Sequence, residues 1–363
     1  MNILFLEGDM SRRGGTERMT AVLANAFCKA HQVSVVSLHS EGECPFFALE
    51  EGVQQLTLHE ASGKLGIRKP IKEIRGYVRA HDIDWIINVD VGMSIYGIPA
   101  ARGTRARVIT WEHANYFNNW NSKIFPYFRK YAAKRSDAMV VLTEQDRENY
   151  LSHIRTKTPI YAIPNPAQGH EFCYDAASKT ILSAGLLLPI KGYDRAIQAA
   201  AQVLPHHPDW KWVICGEGPE RARLEQLIAE NGLKAQVFLP GTVHDMDERY
   251  QKATMFVMTS EMEGLPMVLL EAKAWGLPLV SFDIMTGPSD IIRSGVNGYL
   301  VEPYDVNALA ERIEELIVSQ ELRVRFSDHS QLDMERFDFD RILEKWQEIM
   351  EIEKEAIVPF GSI

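Results

Sequence analysis

The chain has 363 residues, more than one ordinary domain needs, and its 46% hydrophobic and 24% charged composition is globular and argues against disorder. A formal net charge of −10 argues against nucleic acid as a partner. The charge is split: residues 1–170 carry 21 Lys and Arg against 17 Asp and Glu, residues 171–363 carry 18 against 32, and the halves are +4 and −14. Such asymmetry points to one surface-binding half.

Met1–Leu6 is too short an apolar run for a signal peptide and lacks a basic flank. No stretch of about 18 apolar residues occurs, so no membrane span is expected. Cys28, Cys44, Cys173 and Cys215 form no CxxC pair, which excludes the usual zinc and redox motifs. Cys28 and Cys215 read as small core hydrophobes. A reducing cytoplasm fits these features.

In chain order, Ile3–Leu6 reads as a strand, and a loop then leads into a helix with Met19, Val22, Leu23, Ala26, Phe27 and Ala30 on one face. Val33–Leu38, Trp85–Val89, Val108–Trp111 and Met139–Leu142 continue as strands, and Thr143 with Asp146 reads as a helix N-cap. The prolines of Ile163–Pro166 break the series. A second series follows: Thr180–Ala184, Trp212–Cys215, Val237–Leu239, Met255–Met258 and Leu279–Phe282, with a helix at Arg221–Asn231 closed by Gly232. Strands alternating with helices predict α/β architecture: two Rossmann-like, doubly wound domains facing a central cleft. The expected divisions are 1–166, a linker at 167–178, and 179–337.

In doubly wound sheets, ligands bind beyond the carboxyl ends of strands, so those loops carry the candidates. Gly14-Gly15 precedes a helix, where paired glycines let amides approach a phosphate; a plain turn is the alternative. The absence of Gly-x-Gly after Leu6 disfavours a dinucleotide-dependent dehydrogenase. Lys191-Gly192 sits after a strand and before a helix, where the lysine either reaches a phosphate or is simply solvated. Gly216-Glu217-Gly218-Pro219 reads mainly as architecture. In Glu263-Gly264-Leu265-Pro266-Met267, continuing to Glu271-Ala272, two carboxylates stand at a loop and one to two helical turns later. Both can accept hydrogen bonds from sugar hydroxyls, and Glu271 within an apolar run demands a partner. Gly287-Pro288-Ser289-Asp290 is either an anion-facing loop or a capped helix start. His113, after Trp111-Glu112, is either a hydroxyl contact or an ordinary structural histidine. Arg68, Lys69, Lys72, Arg75 and Arg79 fall on a probable helix, Arg129, Lys130, Lys134 and Arg135 end another, and Arg102, Arg105 and Arg107 lie between them; together they are candidates for an anionic membrane surface.

Taken together, Lys191-Gly192-Tyr193-Asp194, the GEGPE run from Gly216, Glu263 to Glu271-Ala272, Trp275-Gly276-Leu277-Pro278, Asn297-Gly298-Tyr299-Leu300-Val301, Gly14-Gly15-Thr16-Glu17-Arg18 and Glu112-His113-Ala114-Asn115 resemble the family 4 glycosyltransferases of GT-B fold. The resemblance implies a retaining, metal-independent enzyme with no cofactor, moving a sugar from a nucleotide-sugar substrate to a glycan or lipid-linked acceptor. The acceptor hydroxyl attacks the donor's own face and the leaving phosphate takes its proton. By resemblance Glu263 meets donor-sugar hydroxyls, Glu271 the ribose, and Lys191 the diphosphate, with backbone amides of Gly14, Gly15, Gly264, Leu265, Pro266 and Met267 nearby as donor-binding positions (Pro266 lining without an amide hydrogen). His113 meets the sugar at the reacting end. Glu263, His113 and Lys191 are the catalytic candidates; Arg68, Lys69, Lys72, Arg75 and Asn115 are the acceptor- or membrane-facing ones. The implied setting is cytoplasmic, on the inner face of the plasma membrane, in capsule, O-antigen or related polysaccharide synthesis, with a UDP-hexose or UDP-N-acetylhexosamine donor. The first domain is completed by the C-terminal helix 338–356, with Ile342, Leu343, Trp346 and Ile349 on one face. The family usually carries Gly-Arg-Leu before the Lys-Gly pair; here the run is Gly185-Leu186-Leu187, which removes one cationic anchor. Arg12, Arg13 and Arg18 are candidate substitutes. A nucleotide-sugar epimerase and an inactive sugar-nucleotide-binding protein are the alternatives.

Overall fold

The structure, a computed structural model, describes residues 1–42, 45–59, 66–119, 122–167, 169–243 and 245–355, with side chains through Glu351. Cys44 lies outside them. The chain forms two compact units, Met1–Asn165 with Asp340 onward, and Pro166–Phe339.

The first unit runs β1 (Asn2–Glu7), α1 (Gly15–Phe27), β2 (Gln32–His39), β3 (Val53–His59), α2 (Arg68–Ala80), β4 (Trp85–Val89), α3 (Ser94–Ala101), β5 (Arg107–Trp111), α4 (Phe125–Arg135), β6 (Ala138–Val141), α5 (Glu144–His153) and β7 (Ile160–Ala162). Its sheet has the order β3-β2-β1-β4-β5-β6-β7, all pairs parallel. The central strands are continuous apolar runs because helices cover both faces. Ile3 to Leu6 and Ile86 to Ile87 are wholly buried. The second unit runs β8 (Thr180–Ala184), α6 (Tyr193–Val203), β9 (Lys211–Cys215), α7 (Arg221–Glu230), β10 (Val237–Gly241), α8 (Met246–Gln251), β11 (Met255–Met258), α9 (Met267–Ala274), β12 (Leu279–Phe282), α10 (Pro288–Ile291), β13 (Gly298–Val301), α11 (Val306–Val318) and α12 (Gln320–Asp328). Its order is β10-β9-β8-β11-β12-β13, again parallel. The last helix, α13 (Phe339–Glu355), packs into the first unit, where Trp346 meets Trp111 edge-on at 5.1 Å.

Three strands escape the sequence reading: β3, β7 and β13. All three are sheet edges. An edge strand buries less of itself, so it lacks a continuous apolar run; β3 is exposed at Gln54 and Gln55. The segment read as a linker, 167–178, is no free tether. Ala167 donates to Phe337 O at 3.0 Å, Tyr174 Oη to Thr254 O at 2.7 Å, and Arg323 donates to Ala176 O at 2.9 Å. His170 stacks on Trp275 at 4.1 Å. The strap therefore belongs to the second unit. Cys215 is core, but Cys28 is only half-buried.

Candidate functional site

In the second unit the loops after β8, β9, β11 and β12 gather at the carboxyl ends of parallel strands. Gly192 allows a close approach between two of them. It sits at φ +63°, and a Cβ there would lie 2.3 Å from Thr259 O, so only glycine fits. The loops are stitched together: Thr259 Oγ1 donates to Lys191 O at 3.0 Å, Glu261 N to Ile190 O at 2.8 Å, and Thr286 Oγ1 to Glu263 O at 2.6 Å.

This stitching brings two sequence candidates, 72 positions apart, into contact. Lys191 Nζ donates to Glu263 Oε1 at 2.7 Å, and the two side chains are 24% and 14% exposed. Lys191 is therefore no solvated surface lysine. Gly264, Leu265 and Pro266 form the turn into α9, whose first residue is Met267; Leu265 and Pro266 are buried. Glu271 has the partner its apolar setting demands: the buried Tyr250 donates to its Oε2 at 2.9 Å. The Gly216 run is architectural. A Cβ on Gly216 would lie 1.9 Å from Gly185 O, so this loop is a spacer packed against the loop that leads to Lys191. Leu186, which precedes Lys191 in the same loop, is 49% exposed. Gly287 opens α10, a single turn of four residues with Pro288 at its start.

Sequence reasoning missed Arg195, one turn beyond Lys191. Its Nη2 donates to Glu261 Oε1 at 2.7 Å and its guanidinium lies 4.7 Å from the Tyr304 ring centre, fixing the loop that carries Glu263.

In the first unit, Gly14 caps α1, but its amide is already engaged. The Glu17 carboxylate accepts from the backbone amides of Gly14 and Glu17, and a Cβ on Gly14 would lie 2.3 Å from Glu17 Oε2. Beneath it, at the end of β1, Glu7 accepts from Gly8 N at 3.0 Å. Burial, then the neighbouring Glu17 charge, push Glu7 up to about 8. With its folded-state pKa raised, Glu7 contributes stability that is full below pH about 4.5 and lost as pH rises through about 8. Glu7→Gln is expected to flatten the stability profile across that window. Its advantage over the native chain should grow by about 1.4 kcal/mol per pH unit at most, read by urea unfolding between pH 5 and 9. Parallel profiles for the two proteins would contradict this.

His113 follows β5. Its ring lies 4.1 Å from that of Trp111, and burial holds it down to about 3, so the imidazole is neutral at neutral pH. Its Nε2 is enclosed and has no hydrogen-bond partner among the described residues. A neutral ring with an unengaged nitrogen can meet a hydroxyl but carries no charge to the reaction. The loop behind it is held by a buried group of polar side chains. Glu112 Oε2 accepts from Arg129 Nε at 3.2 Å and Tyr150 Oη at 2.9 Å, and Oε1 accepts from Ala114 N at 3.0 Å. Arg129 also donates to Asn118 O and, at 2.7 Å, to Asn119 Oδ1. Burial pushes the Glu112 carboxyl up, against the pull of Arg129.

Several basic-surface and acceptor-facing expectations need correction. Asn115 is buried, and its Oδ1 accepts from Phe117 N and Asn118 N at 2.9 and 3.0 Å, so it holds its own loop together. Arg75 is half-buried and donates to Ala100 O and Pro99 O, tying α2 to α3. Arg129 is 1% exposed, because Glu112 draws it inward. Arg105 and Arg107 pair with Asp84 and Asp137. Arg68, Lys69 and Lys72 remain exposed beside the 53%-exposed Ile67. Arg12, Arg13 and Arg18 are exposed.

Residues 13–168 match the family described as Glycosyltransferase Family 4, and residues 175–333 match Glycosyl transferases group 1. An uncharacterized glycosyltransferase of Haemophilus influenzae is 30% identical over 343 residues, 93% of this chain and 96% of that protein. The chain belongs to the family 4 glycosyltransferases. A second member of the family is 27% identical over 98% of this chain and all of its own length. It is the "GalNAc-alpha-(1->4)-GalNAc-alpha-(1->3)-diNAcBac-PP-undecaprenol alpha-1,4-N-acetyl-D-galactosaminyltransferase" of Campylobacter jejuni. Among solved glycosyltransferases, a TarM variant from S. aureus, in complex with Fondaparinux, alpha-GlcNAc-glycerol and UDP, superposes with a TM-score of 0.70 at 25% identity. That likeness covers 77% of this chain and 58% of TarM. The two parallel, doubly wound sheets are those of the GT-B glycosyltransferases. Among the described residues of this glycosyltransferase, no helix is long and apolar enough to cross a membrane.

Proposed function

We propose that this glycosyltransferase is a retaining enzyme that takes a sugar from a uridine diphosphate hexose or N-acetylhexosamine and passes it to a glycan or polyprenyl-diphosphate-linked acceptor in surface-polysaccharide synthesis. The observation that carries this reading is the contact between Lys191 and Glu263 on stitched strand-end loops, with Glu271 held one to two turns along α9. An ammonium for phosphate beside a carboxylate for hydroxyls is the donor set that a sugar nucleotide needs. The relatives that act on an undecaprenyl-linked glycan or bind UDP support the choice of substrate class.

In this reading the second unit is the donor domain and the first, completed by α13, the acceptor domain. Lys191 holds the diphosphate with backbone amides from Gly264, Leu265 and Met267. Glu263 accepts from donor-sugar hydroxyls, Glu271 from the ribose, and neutral His113 meets the sugar at the reacting end. As the bond from sugar to phosphate breaks, negative charge grows on the leaving diphosphate, and the fixed Lys191 charge stabilises it more than the ground state. The acceptor oxygen forms its bond on the same face, and its proton passes to the departing phosphate oxygen. Lys191 supplies the positive charge, so the step is written without a metal ion.

Incubation with UDP-sugars and a polyprenyl-diphosphate-linked glycan tests the proposal: the sugar should appear on the acceptor with its anomeric configuration kept. Turnover of the sugar nucleotide without any acceptor would instead establish an epimerase.

The exposed Arg68, Lys69, Lys72 and Ile67 on and beside α2 support peripheral binding to the inner face of the plasma membrane. Reversing all three charges to Glu is expected to weaken binding to phosphatidylserine-containing vesicles by about a hundredfold at low salt, at about 1 kcal/mol per cation. Binding that is unchanged and insensitive to salt would remove the membrane assignment.

A further inference from the structure

We propose that Lys273 is a positioning residue for the donor site: its buried ammonium ties the far end of α10 to α9 and so holds the turn from Glu263 to Pro266 in place. The proposal rests on the donor site described above and concerns a side chain that the site itself does not use.

Helix α9 buries a lysine two positions after Glu271. Lys273 is 2% exposed, and its Nζ donates to Ile291 O, the last carbonyl of α10, at 3.0 Å. An ammonium is costly in such a place, and an apolar side chain of similar size would fill it without that cost. What the charge gains is a strong bond to the carbonyl. At its other end α10 abuts the donor turn. Thr286 Oγ1 donates to Glu263 O at 2.6 Å, and a Cβ on Gly287 would lie 2.4 Å from Pro266 Cδ and 3.0 Å from Gly264 O. The three pieces close a ring. The chain joins the turn to α9, Lys273 joins α9 to α10, and Thr286 with Gly287 joins α10 back to the turn. Releasing Lys273 opens the ring at its charged link and lets Thr286 and Gly287 shift against Glu263 and Gly264.

The charge on Lys273 is within reach of solution pH. Burial lowers its pKa from 10.5 to about 8; Asp333 and Glu335 act to raise it, and Arg336 and Arg293 to lower it. Those two arginines are paired with Asp290 at 3.7 Å and Asp333 at 2.5 Å. Two consequences run in opposite directions. With its folded-state pKa depressed, Lys273 contributes stability that is full above pH 10.5 and lost as pH falls through about 8. The clamp is complete only where the ammonium is charged, so donor affinity falls as pH rises through the same point. A lysine that only supported the fold would move both together.

The test is calorimetric titration of the full chain and of Lys273→Met between pH 6.5 and 9, with urea unfolding of both proteins alongside. The probes are UDP-glucose, UDP-galactose, UDP-N-acetylglucosamine and UDP-N-acetylgalactosamine, then the GDP- and ADP-sugars if no uridine ligand binds. At the acid end the variant should bind the sugar nucleotide about tenfold more weakly than the native chain, the difference between a charged and a neutral donor. Its resistance to urea should be equal or greater, since a buried charge is gone and Ile291 O keeps Asn297 Nδ2 at 3.3 Å. Toward pH 9 the ratio of the two affinities should fall toward one. Lys273→Gln serves where the first variant does not fold. Equal affinity in a folded variant, a ratio independent of pH, or a loss of affinity matched by a loss of stability overturns the proposal and leaves the donor site standing. No sugar-nucleotide binding by the native chain, or undiminished binding by Lys191→Met, overturns the donor site itself and the proposal with it.

Discussion

Lys191→Met lowers the turnover rate by about a hundred- to a thousandfold, the loss expected when one fixed electrostatic contact to developing charge is removed. The chain stays folded, because the side chain is at the mouth of the strand-end loops and its removal opens no core cavity. Glu263→Ala is expected to abolish transfer for a different reason: the sugar loses its acceptor of hydroxyl hydrogen bonds, and the reacting carbon loses its orientation. Steady-state assay of sugar transfer at saturating donor, with a melting curve for each variant, measures both. Full activity in either variant would refute the site assignment. The contact between the two residues predicts further that the double variant will not show the sum of the two losses, since residues acting as a unit are non-additive.

The second large effect is on stability. Arg129 is buried at 1% exposure, and one guanidinium serves Glu112, the Asn118 carbonyl and the Asn119 side chain. Arg129→Met removes the donors that one buried guanidinium gives to Glu112, Asn118 O and Asn119 Oδ1. A buried polar group that loses its partner costs about 1–3 kcal/mol, and urea unfolding followed by tryptophan fluorescence should show it. Trp111, packed between His113 and Trp346, reports on that part of the first unit. A cost below about 1 kcal/mol would mean that the group is no more than a surface-like pair. Because the same group holds residues 112–119, the surviving folded fraction should also transfer sugar more slowly.

The interior of each sheet was legible in the sequence because a strand covered on both faces is largely apolar, and β1, β4, β8 and β11 each carry an apolar run. Three of the four edges were not: β3 has two exposed glutamines in succession, and β7 has three residues. The loop candidates were legible as residue types at strand ends, and their roles came from the resemblance. Spacing alone could not say that Lys191 and Glu263 touch, because three crossovers of a parallel sheet lie between them. Charged residues misled where local partners decide. Arg75 and Arg129 resemble surface cations in sequence, but backbone carbonyls claim the first and a buried carboxylate the second. Asn115 read as facing outward and instead closes its own turn.

The charge split takes on a sharper meaning in these terms. The −14 half contains the proposed donor site, yet its cations are mostly committed: Arg195 to Glu261, Arg221 to Glu217 and Glu225, Arg223 to Glu220 and Asp194. Lys191 is paired as well, but with the carboxylate that a sugar can relieve. In the proposed reading the phosphate is met by Lys191 and not by the field of the whole unit.

Thermal unfolding of the native chain and Lys191→Met, side by side against UDP-, GDP- and ADP-sugars, tests this most directly, since a ligand of the native state raises apparent stability. One nucleotide sugar should raise the native unfolding temperature and leave that of Lys191→Met unmoved. Equal shifts in both proteins, or no shift with any sugar nucleotide, would contradict the donor site.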